Sequence, residues 1–294
     1  MTARHVDIAH NYFTMVEDGL ADLFVSRSRS NGASRLQQVV RFAVLSGGRR
    51  IRPILTLLSC TALGGKTADA LPLALAIELV HAASLVLDDL PSMDDENERR
   101  SRITVHRKEG EAAAILVAIS LLTRAFELTG AFDERCGGRT TVRLAKAVGA
   151  AGMCAGQFTD LNAQLLDDEA AISTDQVEQL CVSKTGLLMA TACEFGAIAA
   201  KASPAQQKAL FECGLNIGFA YQIEDDLQDT DCDAKLRRPN YAALVGRERA
   251  ERRVTELVGE APRSALRLGI DTSLLESYAR TLMSPHISQA QPAL

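Results

Sequence analysis

Four aspartates and two arginines crowd into the end of the segment HAASLVLDDLPSMDDENERR, residues 81–100. Two carboxylates about 4 Å apart at an effective dielectric near 20 repel by roughly 4 kcal/mol, so an ionised cluster of Asp88, Asp89 and Asp94 needs cations. Oxygen-only ligands with slack in their spacing suit Mg²⁺, which keeps waters and shares its sphere with phosphates. Arg99 and Arg100 then read as forks for a diphosphate. The alternative for the same residues is a solvated acidic loop after a helix stop.

A second acidic stretch weakens that alternative. In GLNIGFAYQIEDDLQD, residues 214–229, helical spacing puts Gln222, Asp225, Asp226 and Asp229 on one polar stripe and turns Phe219, Ile223 and Leu227 away from it. Two acid clusters on apolar helices can face each other across a bundle.

The elements that must hold these groups read as helices. His81, Ser84 and Asp88 share one stripe of a segment started by Pro72, with Leu79, Ala83, Val86 and Leu90 on its other sides. Such a helix belongs in a core, and its polar stripe lines an internal cavity. A first amphipathic helix is expected over residues 6–26 and a second from an N-cap at Ser34, stopped by Gly47 and Gly48. That double glycine lets the backbone approach a ligand where Arg49, Arg50 and Arg52 arrive, with Pro53 in the next first turn. Three arginines beside a helix start suit an anion; they also suit an exposed basic turn.

Further on, residues 112–126 read as a buried helix and residues 139–164 as one long helix. Gln157 and Asp160 share a face of the latter, either near the ligand or as surface polars. Ser173 with Gln176, and Ser203 with Gln206, are capping boxes. Gly186 permits a kink beside Lys184 and Thr185. Helices are expected over 247–259 and 272–283, and residues 284–294 read as a frayed tail.

Composition agrees with closely packed helices in one domain spanning residues 1–294. Apolar residues make up 47%, aromatics 4%, and there is no tryptophan. The net charge of −5 gives no basic field for nucleic acid. The seven cysteines (60, 136, 154, 181, 193, 213, 232) lack a CxxC pair, which argues against a zinc site or disulfide framework and for a reducing cytoplasm. The N-terminus lacks the apolar run of a signal peptide. No membrane span is expected, because the apolar stretches 71–87 and 112–122 are short or interrupted by Glu78 and His81.

Taken together, these motifs resemble those of the trans-isoprenyl diphosphate synthases. Asp88, Asp89 and Asp94 with Arg99 and Arg100 are similar to that family's first aspartate-rich motif, and DDLQD at 225–229 to its second. GGRRIRP at 47–53 is similar to GGKRxRP, SKTG at 183–186 to the Lys-Thr element, and GQFTDL at 156–161 to the Gln-Asp segment. These landmarks run in family order from about residue 40 to 246. HAASLVLDD, with Leu87 where many relatives have His, resembles the bacterial carotenoid-type geranylgeranyl diphosphate synthases.

The resemblance implies the isoprenoid synthase fold, an all-α single-domain bundle of roughly ten to thirteen helices around a central cavity. It implies a cytoplasmic homodimer that condenses isopentenyl diphosphate with allylic diphosphates (dimethylallyl, geranyl, farnesyl), using two to three Mg²⁺ ions. The metal ligands would be Asp88, Asp89, Asp94, Asp225, Asp226 and Asp229. Arg49, Arg52, His81 and Arg100 would hold isopentenyl diphosphate, and Arg99, Lys184, Thr185, Gln222 and Lys235 would serve the allylic partner. The catalytic set would be Asp88, Asp89, Asp94, Arg99, Lys184, Asp225 and Asp226. Val80, Ala83 and Ser84 would set product length. The small size of Ala83 and Ser84 points to twenty carbons, since relatives that stop at fifteen tend to carry an aromatic there. Arg49 replaces the usual Lys, Ser101 the usual Gly, and the loop after Asp229 is shorter, so either Lys235 or Arg238 replaces its lysine. The competing readings are a farnesyl diphosphate synthase, a terpene cyclase, whose second metal motif is not found here, and a non-catalytic subunit of a heteromeric synthase.

Overall fold

The computed structural model describes residues 3–24, 31–134, 138–162, 173–236 and 238–283. Among them, twelve helices have eight residues or more. The chain runs through α1 (Ala3–Leu23), α2 (Asn31–Val44), α3 (Ile51–Ala62) and α4 (Thr67–Asp88) into a small hairpin of β1 (Glu98–Arg99) and β2 (Arg102–Ile103). It continues through α5 (Val105–Glu109), α6 (Glu111–Asp133), α7 (Arg139–Val148), α8 (Met153–Asn162) and α9 (Thr174–Cys181). A π-turn, Val182–Gly186, leads into α10 (Leu187–Ala199) and the long α11 (Pro204–Leu236). Last come α12 (Tyr241–Val245), α13 (Arg247–Glu260), α14 (Arg263–Leu266) and α15 (Ser273–Leu282).

The main core forms where α4 and α10 pack against α3, with α6 on the far side of α4 and α11 on the far side of α10. Small residues let these axes come close. A Cβ at Gly196 would overlap the Thr56 carbonyl of α3, and one at Gly214 would lie 2.6 Å from the Met189 carbonyl of α10. The low aromatic content follows, because bulky rings would push these helices apart. A smaller core joins α9, α11, α12 and α13, where the Phe219 and Tyr241 rings meet edge to face at 5.8 Å.

Several expectations need correction. The helix bearing the first aspartates starts at Thr67, so Pro72 lies inside it. So near the N-terminus its ring forfeits just one intrahelical bond. α4 and α6 are long and apolar enough to cross a membrane by length and composition alone, a test that buried core helices also pass. Most of α4 is nevertheless buried in the protein core. α2 starts at Asn31, so Ser34 is not its cap. The expected helix over 139–164 is instead two helices within its described part, residues 139–162, because the backbone turns at Gly149 and Gly152, where a Cβ on Gly152 would overlap the Ala147 carbonyl. The hairpin was not foreseen. Its two turn residues, Arg100 and Ser101, both have positive φ (55° and 57°), as a tight two-residue hairpin turn requires. Both capping boxes form, through reciprocal Ser173–Gln176 and Ser203–Gln206 bonds. The tail at 284–294 lies outside the described residues, and the five described cysteines are free thiols.

Candidate active site

The turn into α3 separates its three arginines by direction. Gly47 and Gly48 have φ of 86° and 124°, and Arg50, the residue before α3, is left-handed at φ 48°. That geometry turns Arg50 inward, against the expectation that all three arginines serve an anion. Its guanidinium bonds Glu17 Oε1 (2.5 Å), Glu78 Oε1 (2.6 Å) and the Val44 carbonyl (2.7 Å). Burial alone would lower its pKa; the Glu78 and Glu17 carboxylates outweigh that and raise it. Arg49 is exposed and turns the other way, donating from Nη2 to the Tyr221 hydroxyl on α11. Arg52 is lowered by burial, opposed by Glu78, Tyr221 and Asp225, and its Nε is buried without a partner. An unpaired buried donor on a cation suits an incoming anion.

His81 lies on α4 beside the same turn. Burial, then the charges of Arg52, Arg100, Arg50 and Arg99, push its imidazole well below the usual value, so it is neutral at pH 7. Arg100 projects from the hairpin turn onto the Gly47 carbonyl, and its guanidinium occupies the space that a Cβ on Gly48 would need. A cavity between α2, α4 and the hairpin is lined by His81, Arg100, Arg102, Phe42 and Ile103.

The acid groups sit at the C-terminal end of α4 and late in α11. Burial raises the Asp88 carboxyl to about 6, with Lys184 and Arg99 opposing and Asp94 and Asp89 reinforcing. Burial raises Asp225 to about 7, opposed mainly by Arg49. Asp89 is buried and accepts from Arg99 Nε at 2.6 Å. Asp94 accepts from Arg238 Nη2 at 2.8 Å, which ties the segment after α11 to the end of α4. The Arg52 charge bears on both His81 of α4 and Asp225 of α11.

Asp226 is held differently. Its carboxylate accepts from Gln222 Nε2 (2.9 Å) and from the Tyr241 backbone N–H (2.7 Å), while Asn240 Nδ2 donates to its carbonyl (2.8 Å). Thr185 donates to Gln222 Oε1 at 2.6 Å. A continuous chain of bonds thus fixes the segment that carries Arg238. Lys184 donates to buried Asp160 at 2.5 Å, so Asp160 is no surface polar; Gln157 Nε2 is buried without a partner. The π-turn that presents Lys184 and Thr185 is flanked by Gly156 of α8 and Gly218 of α11, whose Cβ atoms would lie 2.6 and 2.7 Å from its backbone. Asp229 is exposed, and the side chain of Lys235 lies outside the described residues. One turn before Asp88, Ser84 Oγ donates to the His81 carbonyl, and Val80 and Ala83 are buried.

The donor set fits a hard divalent cation. Asp88 and Asp225 are carboxylates that burial drives towards protonation, and a cation would relieve that cost. Among the described residues no three His, Cys, Asp or Glu groups already form a metal cage. Two further side chains join the site, neither given a role by the sequence: Tyr221, one turn before Asp225 on its stripe, and Glu78, three residues before His81.

The sequence profile of the polyprenyl synthetase family matches residues 33–239. The chain is 37% identical over 233 residues to the farnesyl diphosphate synthase of Geobacillus stearothermophilus, covering 77% of this chain and 75% of that one. It is 36% identical over 265 residues to the geranylgeranyl diphosphate synthase of Pseudescherichia vulneris, covering 88% and 81%. Among solved structures, an apo FPP/GFPP synthase from Zymomonas mobilis superposes with a TM-score of 0.87 at 29% identity, over 96% of this chain and 100% of the other.

Proposed function

The chain belongs to the polyprenyl synthetase family and is a trans-prenyltransferase; from that premise we propose that it is a Mg²⁺-dependent geranylgeranyl diphosphate synthase, with residues 1–294 acting as one domain. Ala83 and Ser84 carry the chain-length part of this reading, because they are small and stand one turn before Asp88. A helical turn is about 5.4 Å, comparable to one isoprene unit, so Ala83 and Ser84 would face the first added unit and Val80 the next. Farnesyl diphosphate synthases among its relatives favour a second reading, a fifteen-carbon product.

Asp88, Asp89, Asp94, Asp225, Asp226 and Asp229 are the proposed oxygen donors for two to three Mg²⁺ ions, with Asp226 also fixing the segment that carries Arg238. When bound, Mg²⁺ would supply charge neutralisation for the departing diphosphate. Arg99 and Lys184 add fixed positive charge beside that leaving group, and Thr185 and Gln222 orient the turn that presents Lys184. Lys235 or Arg238 completes the contact, and Arg238 is the one directed at Asp94. Arg49, Arg52, His81 and Arg100 seat isopentenyl diphosphate, whose double bond attacks the allylic cation left when the C–O bond of the allylic diphosphate breaks. The released pyrophosphate takes the proton lost in forming the new double bond. Apolar walls from α4, α6 and α10 exclude water that would otherwise quench the cation.

The protein acts as a cytoplasmic homodimer without a nucleic-acid partner. Ile115, Leu116 and Ile119 support the dimer, since they leave one face of α6 apolar and exposed for a second copy to cover. Incubation of the protein and of Ser84→Phe with Mg²⁺, labelled isopentenyl diphosphate and each allylic primer tests the reading. The expected products, identified by mass spectrometry, are twenty carbons for the parent and fifteen for the variant. A parent that stops at fifteen would favour the second reading, and an unchanged product from Ser84→Phe would refute the floor.

A further inference from the structure

Arg49 stands on a glycine-flanked turn and is exposed, yet its head is held in one place. Nη2 donates to the Tyr221 hydroxyl, and Cζ lies over the Tyr221 ring, 5.2 Å from its centroid. Among the described residues, Tyr221 is the side chain to which this guanidinium is hydrogen bonded. A ring contact and a hydroxyl contact on the same partner fix both the position and the tilt of a planar cation. The fork needs Nη2 alone for this bond, which leaves Nη1 and Nε for a phosphate. A lysine in place of Arg49 has no planar face to stack and no second edge to offer.

The helix that supplies this partner is the one that bears the second acid motif. Tyr221 precedes Asp225 by one turn of α11, and Arg49 is the cation that acts most on the Asp225 carboxylate. Tyr278 of α15 is buried, and the Arg49 charge bears on its hydroxyl. The turn at residues 47–50 and the late part of α11 are therefore joined by a side-chain pair and not by backbone.

We propose that Tyr221 is a positioning residue for isopentenyl diphosphate: its hydroxyl and ring set the Arg49 fork at the diphosphate and tie that seat to the helix carrying Asp225. This rests on the reading above that Arg49 binds isopentenyl diphosphate. The hydroxyl distinguishes the role from simple packing, because phenylalanine would keep the ring and lose the acceptor.

The test uses Tyr221→Phe, Arg49→Lys and the double variant. Isopentenyl diphosphate alone, without an allylic primer, cannot turn over, so its Kd is measurable by titration calorimetry on the intact protein. Loss of one hydrogen bond to a charged group predicts a rise of about tenfold in Kd and in KM for isopentenyl diphosphate for Tyr221→Phe. The change should fall on that KM and not on kcat or on the allylic KM. Because both substitutions break the same contact, the double variant should bind no more weakly than Arg49→Lys. A Kd for Tyr221→Phe within twofold of the parent, or a double variant that multiplies the two single effects, would overturn the proposal. If the parent condenses no substrate, the functional reading fails and this proposal with it. An active parent with an unaffected Tyr221→Phe removes this proposal alone.

Discussion

Replacing Glu78 by alanine should test how the seat for isopentenyl diphosphate is built. Arg50 and Glu78 meet at 2.6 Å with side chains only 2% and 3% exposed. Breaking a buried pair by deleting one partner costs about 3–5 kcal/mol, since the other charge is left in a medium that solvates it poorly. Arg50 retains Glu17, whose side chain is 29% exposed, and the Val44 carbonyl. Glu78 Oε2 has no partner in the structure, so its removal also relieves a buried unsatisfied oxygen. Both considerations place the loss near the lower end, about 3 kcal/mol. At roughly 2 °C or more per kcal/mol for a chain of this size, the Tm should fall by about 6 °C or more. Glu78→Gln keeps an acceptor for Arg50 and should lose about half as much. Thermal unfolding followed by circular dichroism measures both variants. Because the pair pins Arg50, and with it the backbone between Arg49 and Arg52, KM for isopentenyl diphosphate should rise in parallel. A Tm drop under 2 °C for Glu78→Ala would refute the reasoning, since the pair would then be worth no more than an exposed one.

Two further outcomes follow from the charge arrangement. Asp225 has a folded pKa of about 7 against an ordinary 3.8, so its stabilising contribution is full below pH 4 and is lost as pH rises to about 7. The difference amounts to as much as about 4 kcal/mol, and Asp88 at about 6 acts in the same direction with about 3 kcal/mol. In EDTA, Asp225→Asn should therefore melt above the parent at pH 8 and lose that advantage at pH 4, and added Mg²⁺ should raise the parent alone. A variant no more stable than the parent at pH 8 contradicts this. Arg238→Gln removes the fork from Asp94 and should raise KM for the allylic diphosphate by about tenfold, leaving that for isopentenyl diphosphate in place; equal effects on both would assign Arg238 a general structural role.

The acid motifs were legible in the sequence because their meaning depends on short-range helical spacing. Asp88 ends α4 and Asp225 lies on α11, where a hydrophobic pattern of period 3.6 puts them. The capping boxes were legible for the same reason. Arg50 was not, because a single left-handed residue reverses the side of the chain from which the guanidinium leaves, and nothing in GGRRIRP marks which arginine adopts it. The break between α7 and α8 was missed because alanines around Gly149 and Gly152 keep helical propensity high while the close backbone approach depends on the fold. The Asp226–Tyr241 and Arg238–Asp94 bonds join residues that no local pattern relates. Tyr221 lies one turn before Asp225, but nothing local relates it to Arg49, whose guanidinium sits over its ring.

The π-turn at 182–186 makes chain length, more than composition, the sensitive variable in this region. It accommodates one residue beyond a regular helical turn. Deleting any single residue there would let the ladder of bonds close as unbroken α-helix, a local gain for the backbone. The same deletion would rotate Thr174–Cys181 by about 100° relative to α10 and carry Lys184 or Thr185 away from Asp160 and Gln222. Point replacements leave that phase untouched, so a shortened protein could fold with a more regular helix and still have lost its grip on the leaving group.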